Sequence, residues 1–413
     1  MINNICFVCR VCGCNTDQFL TLGKQPVANR FKDFLFDKEE KYTLDVFFCP
    51  ECYAVQIGKC PEVKDVYTDD YPFFTSSSDY MVKHFKDLAE YIKRAYLPTP
   101  HPIKAGGTRR PQDNGVIVEI GSNDGSFLKN FRDIAHLGIE PAGNARGKAI
   151  KDGLVCWNKF FTASVGQEIV DTLGKANVVV SANVFGHIPN RNSALKGIAL
   201  LLKEGGVWIN EEAYLGSILE KTSYDQFYNE HIFYSTVASF KKALDLHELA
   251  ITDIEFYNVH GGSVRYFVSH KRNTKQRTSS DKISYLIDVE NLYSFDRLKQ
   301  FATQIERSKH RLLAQLHTIK SWGGNIVGYG ASAKSTTILN YCGIDASLIP
   351  RIYDTTIEKY EKFCPGTDIR VAPHNQFKND NPHNVVLFVW NHASEVYKKE
   401  KYVNRNWIIP IGN

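Results

Sequence analysis

The chain has 413 residues, 43% hydrophobic, 12% aromatic and 23% charged, close to globular averages, so extended disorder is excluded and two or three domains are expected. Its net charge of +5, from 50 basic and 45 acidic side chains, is spread rather than gathered into runs; this disfavours nucleic acid as a partner and suits a small anionic substrate. No apolar stretch reaches the roughly 18–20 residues that cross a bilayer, and the start MINNICFVCRVCGCN lacks a signal-peptide core, so a cytoplasmic protein with no membrane partner is expected.

Seven cysteines, Cys6, Cys9, Cys12, Cys14, Cys49, Cys52 and Cys60, fall early, and in a reducing compartment such clustering points to metal rather than disulfides. Residues 1–70, with short runs such as YTLDVFFC between polar turns, read as a small β-rich module. Across 71–106, Tyr80, Met81, Phe85, Leu88, Ala89 and Ile92 recur at helical spacing from Ser76 to Tyr96, and the Pro/Gly-rich PTPHPIKAGGTRRPQDNG follows as a linker. From 107 to 270, VIVEIG gives way to SNDGSFLKNF, LGIEP, a helical stretch and ANVVVSANVF, the order of a parallel α/β sheet. KEGGVWINEEA and ITDIEFYNVHGGSVRYFVSH supply further strands. Residues 271–322 read as bridging helices, charged and amphipathic from Asp281 to Trp322. In 323–413, NIVGYG, ASAKSTTILNYCG, LIPRIYD and NVVLFVW make a second βαβ pattern, so the fold class is α/β with two such domains.

Cys9-x2-Cys12 and Cys49-x2-Cys52 are two knuckle pairs, together the four thiolates of a closed, structural tetrahedral zinc site; Cys6 and Cys14 compete less well because they lack this pairing. In EIGSNDG, an acidic residue, Glu119, ends a buried strand and Gly121, Ser122, Asn123, Asp124 and Gly125 follow, with glycines that let backbone approach a ligand at the carboxyl end of the sheet. Glu140 in GIEP follows the next strand, a carboxylate placed to hold ribose hydroxyls; a plain strand-to-helix turn with a surface acid is the other reading. After a third strand, SANVFGHIPN offers Asn183, Phe185 and His187, the last either an interior histidine or a group facing the ligand.

SYDQFYNEHIFYS crowds Tyr224, Asp225, Tyr228, Glu230 and His231 together, and a turn can aim Tyr228 and His231 to one side at i and i+3. Removing a proton beside a carbonyl needs a base and donors for the enolate oxygen; histidine suits the first task, tyrosine the second, and Glu230 can orient the imidazole. A buried polar network holding a loop is the bland alternative. In GYGASAKSTTIL, Tyr329, Ser332, Lys334 and Ser335 surround a strand end and helix start, a phosphate-type site without the spacing of an ATP-binding loop, or else a tight turn with an exposed lysine.

Together CRVCG, FFCPEC, YPFFTSSS, EIGSNDGSFL, GIEP, ANVFGHIP, YDQFYNEH, HGGSVRYF, GYGASAKSTTILNYCGI and FVWNHA resemble, in order, the zinc-containing sugar 3-C-methyltransferases of deoxysugar biosynthesis. The resemblance implies a central Rossmann-like domain binding S-adenosyl-L-methionine, a zinc module with Cys9, Cys12, Cys49 and Cys52 as ligands, and a C-terminal Rossmann-like domain that helps hold a nucleotide-linked 4-keto-6-deoxysugar. It implies His231 as base, with Tyr228, Glu230, His187 and Tyr71 around the sugar. Many members carry a second tyrosine where this chain has Phe73; if that position is the functional one, a hydroxyl is missing here. A methyltransferase acting on RNA or protein, or a non-catalytic zinc scaffold, are the rival classes, and monomer and homo-oligomer both stay open.

Overall fold

The computed structural model describes residues 7–98, 114–273, 280–290, 294–400 and 404–412. Cys6, most of the expected linker and residues 274–279 and 291–293 of the expected bridging stretch lie outside the described residues.

Strands β1 (Phe7–Val8), β2 (Asn15–Pro26), β3 (Lys41–Phe48) and β4 (Val55–Ile57) form an antiparallel sheet in that order. Alternation along β3 buries Leu44 and Val46 on one face, as period-2 patterning requires. The fifth strand of this sheet, Phe233–Tyr234, pairs with β4 and comes from the middle of the chain. The segment carrying YDQFYNEH is therefore tied to the cysteine-bearing sheet.

The central sheet contains β5 (Val116–Ile120), β6 (Ala135–Ile139), β7 (Cys156–Trp157), β8 (Ala176–Ala182) and β9 (Leu202–Ala213), all parallel. With β10 assigned to Phe233–Tyr234, the antiparallel hairpin β11 (Leu249–Tyr257) and β12 (Ser263–His270) completes it in the order β11-β12-β9-β8-β5-β6-β7. VIVEI is buried along its whole length because both faces are covered. Ile117 packs with Met81, Phe85 and Leu88 of the helix Asp79–Ala95, while Val116, Val118 and Ile120 share a core with Ile169, Leu195 and Ile198 from helices on the other face. The first of these helices starts later than Ser76: Ser78 accepts the Met81 N–H as its cap, and Tyr80 is half exposed, off the buried face.

The bridging stretch forms two helices, Ser280–Glu290 and Phe295–Ser321, the second burying Leu298, Phe301, Ile305, Leu312 and Leu316 at helical spacing against β2 and β13 (Ile326–Tyr329). β14 (Arg351–Asp354), β15 (Arg370–Pro373), β16 (Asn384–Leu387) and β17 (Asn406–Ile408) join β13 in a parallel sheet ordered β15-β14-β13-β16-β17. β16 is shorter than NVVLFVW suggested: pairing stops at Leu387, and Val389 and Trp390 turn toward other elements.

Both parallel sheets reverse their strand order beside the first strand, β5 between β6 and β8, β13 between β14 and β16. Such a reversal opens a crevice at the carboxyl ends of the strands. Here both crevices open into one cavity of about 650 Å³, lined by Gly121 and Asn183 from one sheet and Gly330 and Lys334 from the other.

Candidate active site

Cys9 and Cys52 place their sulfurs 3.6 Å apart, Cys12 and Cys49 theirs 3.5 Å apart, and all four sulfurs lie within 4.8 Å of one another. Four thiolates at about 2.3 Å from a tetrahedral zinc stand about 3.8 Å from each other, so the set fits that ion. The two knuckles repeat one backbone pattern: Gly13 N–H donates to Cys9 O and Tyr53 N–H to Cys49 O, each at 2.9 Å, from residues with φ of 79° and 58°. Cys14 is outside the cluster; its carbonyl accepts Cys9 N–H.

At the end of β5, Gly121 has φ of 70°, and a Cβ there would stand 2.3 Å from Val184 Cγ2, so the turn demands glycine. Gly121, Asn123, Glu140 and Asn183 line the cavity. Glu140 spans the turn: one oxygen accepts Asn123 N–H and the other Ala142 N–H, both at 2.8 Å. Burial raises its pKa, and these two bonds oppose the rise. Each oxygen keeps a lone pair for a hydroxyl. Glu119 is buried at the end of β5, with one carboxyl oxygen shielded and without a partner among the described residues. Burial, reinforced by Asp124 and Glu140, holds its pKa well above the ordinary range.

Glu119, Ser122, Asp124, Gly125 and Phe185, expected at the cofactor, do not line the cavity, and the Asn123 side chain is engaged elsewhere. Asn123 accepts Thr75 N–H and donates to Phe73 O, and Asp124 accepts Ser76 N–H, so these side chains clamp the YPFFTSSS segment over the turn. Ser122 faces Cys156 at 3.3 Å, Gly125 packs under Leu154, and Phe185 is fully buried against Trp208 at a centroid distance of 4.9 Å.

A turn in which His231 N–H donates to Tyr228 O brings those two side chains together, with the Tyr228 hydroxyl 2.6 Å from His231 Nε2. Both line the cavity, as do His187 and Tyr71. The His187 ring stands edge-on to His231 with centroids 4.3 Å apart. Burial, then the neighbouring His187, Lys334 and His260, holds His231 far below its usual pKa, so the imidazole is neutral. Glu230 does not orient that imidazole. Its place one residue before His231 in the turn sends it the other way, where it accepts Asn29 N–H at 3.0 Å, the Asn29 amide, and the Tyr71 hydroxyl at 3.1 Å. Burial raises the Glu230 pKa to about 7 against the pull of these donors.

Across the cavity, the helix Ala333–Cys342 begins with a reciprocal Ser332–Ser335 capping box, which places Ser335 inside the fold while Tyr329, Ser332 and Lys334 line the cavity. The Tyr329 hydroxyl donates to Glu400 at 2.9 Å. Lys334 Nζ donates to His260 O at 2.9 Å and to Asn391 at 3.2 Å, and burial lowers its pKa to about 8 while Asp225 opposes the fall. Asp354, ending β14, accepts Ala331 N–H at 2.8 Å and Thr356 N–H at 2.7 Å.

Three family models match consecutive parts of this chain: a zinc binding domain over residues 9–67, a methyltransferase domain over 86–254 and a C-methyltransferase C-terminal domain over 258–411. The C-methyltransferase NovU of Streptomyces niveus is 29% identical across 98% of this chain and 95% of its own. Along nearly its whole length the chain is similar to zinc-containing C-methyltransferases. It is a methyltransferase enzyme that uses S-adenosyl-L-methionine, with the cysteine cluster as its zinc site. Solved structures overlap it in part: an S-adenosylmethionine-dependent methyltransferase from Clostridium acetobutylicum (11% identity, 47% of this chain and 93% of that one, TM-score 0.32) and magnesium protoporphyrin IX methyltransferase from Synechocystis with SAH (13%, 45% and 82%, 0.33).

In this C-methyltransferase, several cavity residues carry no sequence signal. Asn29 lies just past β2 of the zinc sheet, Tyr67 shares a hydrogen bond with His187 Nδ1, and Asp354 ends the short strand β14. Only Asp354 had a cue, since an acid at the end of the second strand of a βαβ pattern repeats the position of Glu140. Among the described residues, no helix is long and apolar enough to cross a membrane.

Proposed function

We propose that this enzyme methylates carbon 3 of a nucleotide-linked 4-keto-6-deoxysugar through an enolate, as a cytoplasmic step of deoxysugar biosynthesis. The observation that carries the reading is the seating of the Tyr228–His231 pair between two unlike crevices, one built on a glycine turn with carboxylates, the other on a capped helix start with a buried lysine. Among the described residues no cysteine is in a disulfide, which suits a reducing compartment.

In this reading the cavity holds the hexose, and the neutral His231 takes the proton from carbon 3, which the neighbouring ketone acidifies. The electron pair moves onto carbon 3 and the ketone oxygen. Tyr228 and His187 stand beside that oxygen as its donors, so the developing charge meets protein N–H and O–H groups in a shielded site, with Tyr71 in the cavity wall. Glu230 holds Tyr71 and Asn29 in place from behind. S-adenosyl-L-methionine, when bound along Gly121, Asn123, Glu140 and Asn183, supplies the methyl group that carbon 3 takes up. The diphosphate lies at Ser332 and Lys334 near the start of the Ala333–Cys342 helix, and Asp354 faces the ribose of the nucleotide.

Incubation with labelled S-adenosyl-L-methionine and a panel of dTDP-, GDP- and CDP-linked 4-keto-6-deoxysugars tests the assignment. Label at carbon 3, and deuterium exchange there in heavy water without cofactor, are expected. Transfer to RNA or protein, or no transfer to any panel member, would overturn it.

A further inference from the structure

The segment from Tyr67 to Phe74 crosses the cavity wall with two tyrosines whose hydroxyls serve different partners. Tyr71 donates to Glu230, whereas Tyr67 meets His187 Nδ1. The Tyr67 ring is held between Tyr71, Phe160 and His187, at centroid distances of 5.1, 6.5 and 6.0 Å, so its hydroxyl has little freedom to seek another group. Burial keeps the phenol protonated and lowers His187 to about 3, so the imidazole is neutral.

A neutral imidazole carries one proton on one of its two nitrogens. With the proton on Nδ1, the Tyr67 hydrogen would find no acceptor among the described residues, and Nε2 would be a shielded lone pair. With the proton on Nε2, Tyr67 donates to Nδ1 and both are satisfied. His187 Nε2 is then an N–H shielded from water and without a partner among the described residues, on a side chain that lines the cavity beside His231. A shielded, unpaired donor is unfavourable unless a ligand supplies the acceptor.

We infer that Tyr67 is a positioning residue: its hydroxyl holds His187 in the Nε2–H form, which makes that N–H a preset donor to the ketone oxygen of the substrate beside His231. The inference rests on the ketosugar reading for the identity of the acceptor, but the tautomer itself does not.

Two measurements on the full-length, zinc-loaded enzyme test it. In 15N spectra of histidine-labelled protein, with His187 recognised by the signal lost in His187→Asn, wild type should show a protonated Nε2 and a bare Nδ1, and Tyr67→Phe a mixture of both forms. In turnover, Tyr67→Phe should lower kcat by about 10-fold, less than the ~10²–10³ of deleting such a donor outright, with KM changed by less than about 2-fold. In a His187→Asn background the same change should cost nothing further. A wild-type His187 protonated on Nδ1 would overturn the inference, as would equal losses from Tyr67→Phe in both backgrounds. A wild type inactive on every ketosugar would sink the functional reading while the 15N result still decides the tautomer.

Discussion

The two glycine turns of this chain are built alike and end differently. After β5 and after β13 the chain makes a tight turn, and in both an acid from the end of the next strand, Glu140 or Asp354, accepts one N–H of the turn and one N–H two residues beyond itself. Past the first turn there is only the short 3-10 segment Leu128–Phe131, and the YPFFTSSS segment closes over it. Past the second comes the full helix Ala333–Cys342, with its free N–H groups and Lys334 at the cavity. A cofactor bearing a sulfonium and an ammonium has no use for a positive helix end, whereas a diphosphate does. On the proposed assignment, one carboxylate-braced turn suits two ligands of opposite charge, and the element that follows it decides which.

The proposed function puts the reaction centre between the turns, so His231→Asn should lower methyl transfer by a factor of ~10²–10⁴ and leave both ligands bound. Turnover beside calorimetric titration of cofactor and of nucleotide sugar checks this; activity near wild type would remove His231 from its role. The turns themselves can be broken separately. Gly121→Ala meets Val184 at 2.3 Å, and Gly330→Ala meets Val389 at 2.5 Å, both at positive φ. Each should lose about 10- to 100-fold in affinity, from ~1–3 kcal/mol of strain, the first for S-adenosyl-L-methionine and the second for the nucleotide sugar. Loss of both affinities from either variant would show that the turns are not independent.

Lys334→Gln sharpens the contrast through charge. Its effect should be roughly 10-fold on KM for the nucleotide sugar and none on cofactor affinity, because a charge-assisted hydrogen bond contributes ~1.5–3 kcal/mol and the amide retains part of it. The pH dependence has a definite sign. Burial has lowered the free enzyme's Lys334 to about 8, so the cation is present below that pH and lost above it. Accordingly kcat/KM should fall as pH rises through about 8 in wild type, and this limb should vanish in Lys334→Gln. The smallest effect belongs to Asp354→Asn, where the isosteric amide oxygen keeps one of the two N–H bonds that brace the turn; ~1 kcal/mol of nucleotide affinity should be lost, read as a several-fold KM increase.

Local patterns in the sequence reached far into this protein. The two Cys-x2-Cys pairs, the glycines of both turns, the buried VIVEI run and the i, i+3 spacing of Tyr228 and His231 each express a rule of backbone geometry that acts over a few residues. Partnerships between distant segments were another matter. That Glu230 turns to Asn29 and Tyr71 rather than to its neighbour His231, that Tyr67 meets His187, that Phe233–Tyr234 completes the zinc sheet, and that Trp390 donates to Asp225 at 2.6 Å were decided only by tertiary packing. A side chain's partner is whichever donor or acceptor the folded chain brings within about 3 Å, and no periodicity along the sequence encodes that distance.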